Sequence, residues 1–243
     1  MDPVTHEINL VGGYVDESKK RHTRVVFGHR LTAKDLFAAD EDPQGQNPTQ
    51  YQDLLVRASI VEFGTLPMPV PLSVLLDLDS IDREDLIEGN NTFSAISAQG
   101  HESEFLADHK VRLGWGFKIN DVVYTHVEFG RRITGRDDIE ADRAGLGRGL
   151  RRTCFLIGKQ ITRISTADNT ASLDGPISVE QFEALQDAAD VATLRGAAEN
   201  WRQSFRLRGA AVSRNGRGAD SAHSNEAPQS ARGSDSRLAD RAT

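Results

Sequence analysis

The sequence predicts an α+β protein of two tandem repeats, each a β-hairpin followed by three or so α-helices, with a disordered C-terminal tail. Three observations predict it: a block that recurs at a constant offset, strand patterns that yield to helical ones at the same place in each copy, and a terminal segment nearly empty of large apolar side chains. The block covers residues 23–40 and 125–142. Thr23/Thr125, Val25/Val127, Phe27/Phe129, Gly28/Gly130, Arg30/Arg132, Thr32/Thr134, Asp35/Asp137, Ala39/Ala141 and Asp40/Asp142 are identical at an offset of 102. Unrelated segments of that length share roughly one residue, so duplication and fusion is the reading. The expected boundaries are residues 1–100 for the first repeat, 101–108 for a linker, 109–208 for the second repeat and 209–243 for the tail.

In order along the chain, each block is preceded by a weaker apolar segment, Ile8 and Leu10 in one copy and Val111, Leu113, Trp115 and Phe117 in the other. These read as first strands. In the second copy Val123, Thr125, Val127 and Phe129 alternate with Tyr124, His126 and Glu128, and Asn120-Asp121 supplies a turn suited to positive φ. The first copy has a longer polar connection, residues 16–20. Each second strand then meets Thr-x-x-Asp, Thr32 to Asp35 and Thr134 to Asp137, a helix-start signal whose carboxylate also suits the helix N-terminus. Helical spacing follows over residues 50–63, with Leu54, Leu55 and Ala58, and over 146–164 in the second copy. Further helices are expected at 72–78 and 82–93. In the second copy Ser178-x-x-Gln181 forms a capping box expected to open one long helix. Beyond residue 208 Ser, Ala, Gly, Arg and Asp dominate, and no core is available to offset chain entropy.

Composition narrows the function. Lys plus Arg total 29 against 36 Asp plus Glu, a net charge of -7 that repels a phosphate backbone unless basic residues gather locally, so nucleic acid is not the default partner. Hydrophobic residues make up 38% and the mean hydropathy is -0.46, enough for two modest cores and some unstructured chain. Cys154 is the single cysteine, which excludes an intramolecular disulfide and a Cys-rich zinc site. No basic leader with an apolar core opens the chain, and no apolar run approaches the roughly 18 residues that span a bilayer. A soluble protein that is neither exported nor membrane-bound is expected.

No catalytic or cofactor-binding constellation emerges, and no metal site is expected. The recurring residues Phe27, Arg30, Thr32 and Asp35, with Phe129, Arg132, Thr134 and Asp137, are mainly structural types. Phe27 and Phe129 read as core. Arg30/Arg132 with Asp35/Asp137 read as a strand-end salt bridge and a helix cap, or, functionally, as a partner-docking edge. His101, Glu102, Glu104 and His109 lack the i, i+4 histidine spacing of a zinc helix. Arg143, Arg148, Arg151 and Arg152 lie among glycines without a phosphate-loop motif, and read as a basic face turned to the acidic partner repeat. Cys154, within TCFLIG, reads as a buried small hydrophobe. The chain is expected not to be an enzyme.

The unit so defined resembles the tail assembly chaperone family of Mu-like and related long-tailed phages. The resemblance rests on a hairpin, then F-G-x-R-[LI]-T-x-[KR]-D, carried by Phe27, Arg30, Leu31, Thr32 and Asp35 and again by Phe129, Arg132, Ile133, Thr134 and Asp137. Leu54 to Arg57, Asp77 to Ser80 and the helix start at Ser178 also look like that family. It implies a cytoplasmic, non-enzymatic chaperone, without cofactor, that binds tape measure and/or tail-tube protein in a bacterial host. Members look single-copy, so a doubled chain implies either a dimer in one chain or a structural tail component retained in the particle. A nucleic-acid-binding regulator using residues 143–152 is the third expectation.

Overall fold

Two antiparallel sheets, each covered by helices, organise the molecule. The computed structural model describes residues 4–107 and 109–215, with side-chain surroundings to residue 205. The compact unit ends at Phe205. In the first half β1 (His6–Val15) pairs with β2 (Arg21–Phe27). Asp16 closes their turn by accepting from the Lys20 amide at 2.9 Å and the Ser18 hydroxyl at 2.6 Å. The chain continues through α1 (Ala33–Glu41), a 3-10 turn at Pro43–Gln46 and α2 (Pro48–Ser59), then returns as β3 (Ile60–Phe63) on the far side of β2. The helices α3 (Leu72–Leu76) and α4 (Ser80–Ser97) follow, α4 lying against β1.

The second half has the order β4 (Glu104–Ala107), β5 (Lys110–Ile119), β6 (Val122–Phe129), α5 (Gly135–Arg143), α6 (Leu150–Gln160), β7 (Ile161–Ser165), β8 (Ser172–Asp174), α7 (Val179–Phe182) and α8 (Ala188–Asn215). Its sheet runs β4-β5-β6-β7-β8, and the first runs β1-β2-β3. Asn120 and Asp121 turn the β5–β6 hairpin at φ 49° and 60°, as the sequence predicts.

Several expectations are corrected. The helical readings of residues 50–63 and 146–164 each end early, at Ser59 and Gln160, and the remainder forms β3 and β7. Ile60, Val61 and Phe63, and Ile161, Thr162 and Ile164, are β-branched or aromatic, and the open edges of β2 and β6 supply the hydrogen bonds that decide for strand. The expected linker at 101–108 contains β4, paired through Phe105 opposite Val111. The Ser178–Gln181 capping box forms, with bonds of 2.8 and 3.2 Å, but opens only the four residues of α7. Helix is broken there because the following peptides serve β5: the Lys118 amide donates to Ala184 O and the Gln186 amide to Gly116 O. The long helix starts anew at Ala188 and runs to Asn215, past the expected end of the repeat at 208. The rest of the expected disordered tail lies outside the described residues.

Both hairpins carry the same irregularity. Register slips between Asn9 and Tyr14 in β1 and between Arg112 and Phe117 in β5, where Leu10-Val-Gly-Gly-Tyr14 lines up with Leu113-Gly-Trp-Gly-Phe117. Gly13 and Gly116 adopt φ of 67° and 75°, and a Cβ on either would strike the carbonyl of the neighbouring strand. The amides freed by each bulge converge on one helix carboxylate. Asp82 accepts from Val11, Gly12 and Gly13 at 2.8, 3.2 and 2.6 Å, and Asp190 from Gly114, Trp115 and Gly116 at 2.9, 3.0 and 2.7 Å. Each buried carboxylate thereby stays solvated by protein and pins a helix across its sheet. The slip also changes which residues face inward, so Tyr124 is buried and Val123 is 39% exposed, against the expected alternation.

Apolar burial follows this frame. Val25, Phe27, Val56, Phe63 and Leu86 centre the first core, and Phe117, Val127, Phe129, Ile157 and Phe182 the second. Ala33 and Phe37 of α1 belong to the second core although they come from the first half.

Candidate functional site

The recurring residues build two caps of one design in two different surroundings. Thr32 donates to Asp35 Oδ2 from its amide at 2.8 Å and from its hydroxyl at 2.7 Å, and Thr134 does the same to Asp137 Oδ2 at 2.7 and 2.9 Å. Phe27 and Phe129 are core residues, as expected. The contact to the cap carboxylate expected of Arg30 and Arg132 comes instead from the residue before each. His29 lies 3.0 Å from Asp35, and Arg131 lies 2.7 Å from Asp137, because the side chain preceding the signature arginine points along the helix end. Burial alone pushes the Asp137 carboxyl up, but the bonds from Thr134 and Arg131 outweigh it and hold it below the ordinary range.

Arg30, so released, crosses to the second half. Its guanidinium lies 3.4 Å from the Trp115 ring centroid, and its Nε donates to Gln186 O at 3.2 Å and faces Asp187 Oδ2 at 3.4 Å. His101 stacks on the same ring at 3.6 Å, and two planar groups that close must occupy opposite faces, so Trp115 is sandwiched. Burial raises the Asp187 carboxyl and lowers the Arg30 guanidinium, each change partly opposed by the other's charge. Around this pair the Ala188 amide donates to Leu31 O at 2.8 Å and the Leu150 amide to Asp40 at 2.7 Å. Arg151 pairs with Glu41 and, at 2.7 Å, with Glu183. The first signature block is thus a plug seated in the second half by Arg30, Ala33, Phe37 and Asp40.

The second block has the same residues and an open setting. Arg132 lies over the Phe205 ring at 3.6 Å and has no carboxylate partner among the described residues. Ile139, aligned with Phe37, is 51% exposed, and a Cβ on Gly135, aligned with Ala33, would meet nothing within 4 Å.

Sequence reasoning missed Asp82, Asp190 and Trp115. The available signal is Asp-x-x-Asp at a helix start, Asp79 to Asp82 and Asp187 to Asp190, which recurs at the same place in both halves. Its partners are about seventy residues away in the chain, so spacing gives no hint of them.

The remaining chemistry-bearing groups are engaged structurally. Arg152 pairs with Asp138 at 3.0 Å and with Asp142, so it and Arg151 are neutralised locally, whereas Arg148 is exposed. Cys154 is fully buried, which pushes its thiol up to about 12. Asp16 joins Ser18 and His22, the latter at 3.0 Å, but the serine donates to the carboxylate and not to the imidazole, leaving no base to activate it. Among the described residues no three His, Cys, Asp or Glu side chains are grouped to hold a metal ion, and no helix is long and apolar enough to cross a membrane.

Comparison of the chain with protein-family models, curated proteins and solved structures finds no match.

A groove of about 260 Å³ remains between β4 and α8, lined by Phe105, Leu106, Ala107, Lys110, Ala197 and Asn200. Phe105 is 53% and Leu106 44% exposed, and the ring of Phe105 lies over Gly196. As β4 is a sheet edge, the groove offers an apolar lining beside unpaired backbone groups.

Proposed function

We propose that this chain is a tandemly duplicated, non-enzymatic assembly chaperone of a tailed bacteriophage or prophage, acting in the host bacterial cytoplasm on tape measure and/or tail-tube protein. The supporting observation is the doubled hairpin-cap-helix unit carrying F-G-x-R-[LI]-T-x-[KR]-D, in which the polar groups serve the frame while apolar side chains stay open at the β4–α8 groove. Tail-tube and tape measure chains expose edge strands and apolar helix faces before they assemble, and an acidic binder with an edge and a groove covers such surfaces reversibly. The arginine segment, half neutralised by neighbouring carboxylates, speaks against a nucleic-acid role.

The test is co-expression with the tail-tube or tape measure protein of the same phage. The expected result is a complex and a client kept in solution, with Phe105→Asp abolishing both and leaving the melting temperature unchanged. A client whose solubility is the same with and without the chain, and no complex, overturns the reading.

A further inference from the structure

The plug of the first half has a socket, and among the described residues the plug of the second half has none. Taken position by position, Arg30, Ala33, Phe37 and Asp40 are buried or half-buried, whereas Arg132, Gly135, Ile139 and Asp142 are exposed. The socket shows the reverse asymmetry. Asp187, which receives Arg30, is buried, and its counterpart Asp79 at the start of α4 is exposed, as are Ser80 and Ile81 beside it, Ile81 at 60%. The molecule therefore carries a free basic plug at one place and a free acidic socket at another. The plug side holds Arg132, Arg136 and Ile139, and the socket side Asp77, Asp79, Glu84 and Ile81.

We infer that these two surfaces bind each other between chains, so that the second-half plug of one copy docks on the first-half socket of the next. This rests on the duplication proposed above and not on the identity of any client. The junction inside the chain is the template: Arg132 takes the place of Arg30 and faces Asp79 of the next copy, and the Ile133 carbonyl takes that of Leu31 toward the Ser80 amide. Phe205 already gives Arg132 the aromatic platform that Trp115 gives Arg30, so the plug is arranged before it docks. Charge complementarity is local: the plug's Arg132 and Arg136 meet the socket's carboxylates, while Asp138, Asp142 and Glu140 of α5 are already paired with Arg152 and Lys159.

The contact between chains is weaker than its template, for two reasons visible in the structure. The socket for Asp142 is taken, since the Thr49 amide, equivalent to that of Leu150, is already held by Asn47 at 2.9 Å. Where Cys154 and Val191 help form an apolar bed in the second half, the first half has the Asp53–Arg83 ion pair, 2.6 Å apart. Reversible association is the consequence. Plug and socket are different surfaces, so the contact is heterologous and repeats head to tail, into a ring or an open chain according to the rotation between copies.

Sedimentation velocity of the full chain from about 10 to about 500 µM tests this, a range suited to weak association. The wild type is expected to rise from the 26.7 kDa monomer to dimers and longer species, less so in high salt. A plug variant, Arg132→Glu, and a socket variant, Asp79→Asn with Ser80→Arg, are each expected to stay monomeric with an unchanged melting temperature. Mixed together they should form a dimer and stop there, since one live plug meets one live socket and the outer ends are dead. Ile139→Asp serves as the plug variant if Arg132→Glu does not fold. A wild type monomeric throughout, variants that associate like the wild type, or a mixture that stays monomeric each overturns the inference. Client binding by the monomeric variants keeps this outcome separate from that of the chaperone reading.

Discussion

At the scale of single residues, the carboxylates of Asp82 and Asp190 do what no hydrophobic contact does: each satisfies three backbone amides that a bulge has taken out of the ladder. Removing one leaves buried donors unpaired, and buried donors without partners cost about 1–3 kcal/mol each before water enters. Asp190→Ala is therefore expected to lower stability by about 3 kcal/mol in urea unfolding, and Asp190→Asn, which keeps one acceptor, by less. Equal midpoints for all three proteins would mean that Asp190 does not hold these amides. The Thr-x-x-Asp caps were legible because cap and carboxylate lie three residues apart and the bond is local. Asp82 and Asp190 were not, because what they bind lies across the fold.

At the scale of elements, aligned positions part company according to what is packed on them. Phe37 and Ile139 occupy the same turn of α1 and α5, yet one is wholly buried and the other half exposed. Phe37→Ala is expected to cost about 3–5 kcal/mol, and Ile139→Ala to stay within about 0.5 kcal/mol. Thermal unfolding of the two variants side by side measures the difference, and similar losses would mean that α1 is not seated as described. The hairpins and first helices were readable from periodicity and turn chemistry. β3 and β7 were not, because a short apolar run directly after a helix continues its spacing by chance, and only the vacant edges of β2 and β6 make it a strand. α7 stopped short for a related reason: its peptides after Glu183 bond to β5, a partner that local patterning does not reveal.

At the scale of the whole molecule, the sequence reading of two repeats divided by a linker missed how far the first reaches into the second. The supposed linker carries β4, and α1 completes a core begun more than seventy residues later. The signature arginines were identified, but not their separate fates, because what each one meets lies far away in the chain. Phe27 and Phe129 sit alike; Arg30 and Arg132 do not.

The seat of α1 also gives the protein an internal clock. Cys154 shares the core with Ala33 and Phe37, its thiol is raised to about 12 by burial, and it is the sole sulfhydryl in the chain. A thiol reagent reaches it only in moments when this region opens, so the labelling rate relative to a free thiol reports the opening equilibrium directly. Arg30→Ala should quicken that reaction, about tenfold for each 1.4 kcal/mol of docking energy removed. A rate indifferent to Arg30 would mean that the reagent enters by another route. One sulfur atom thus reports the fraction of time for which the seat of α1 stands open.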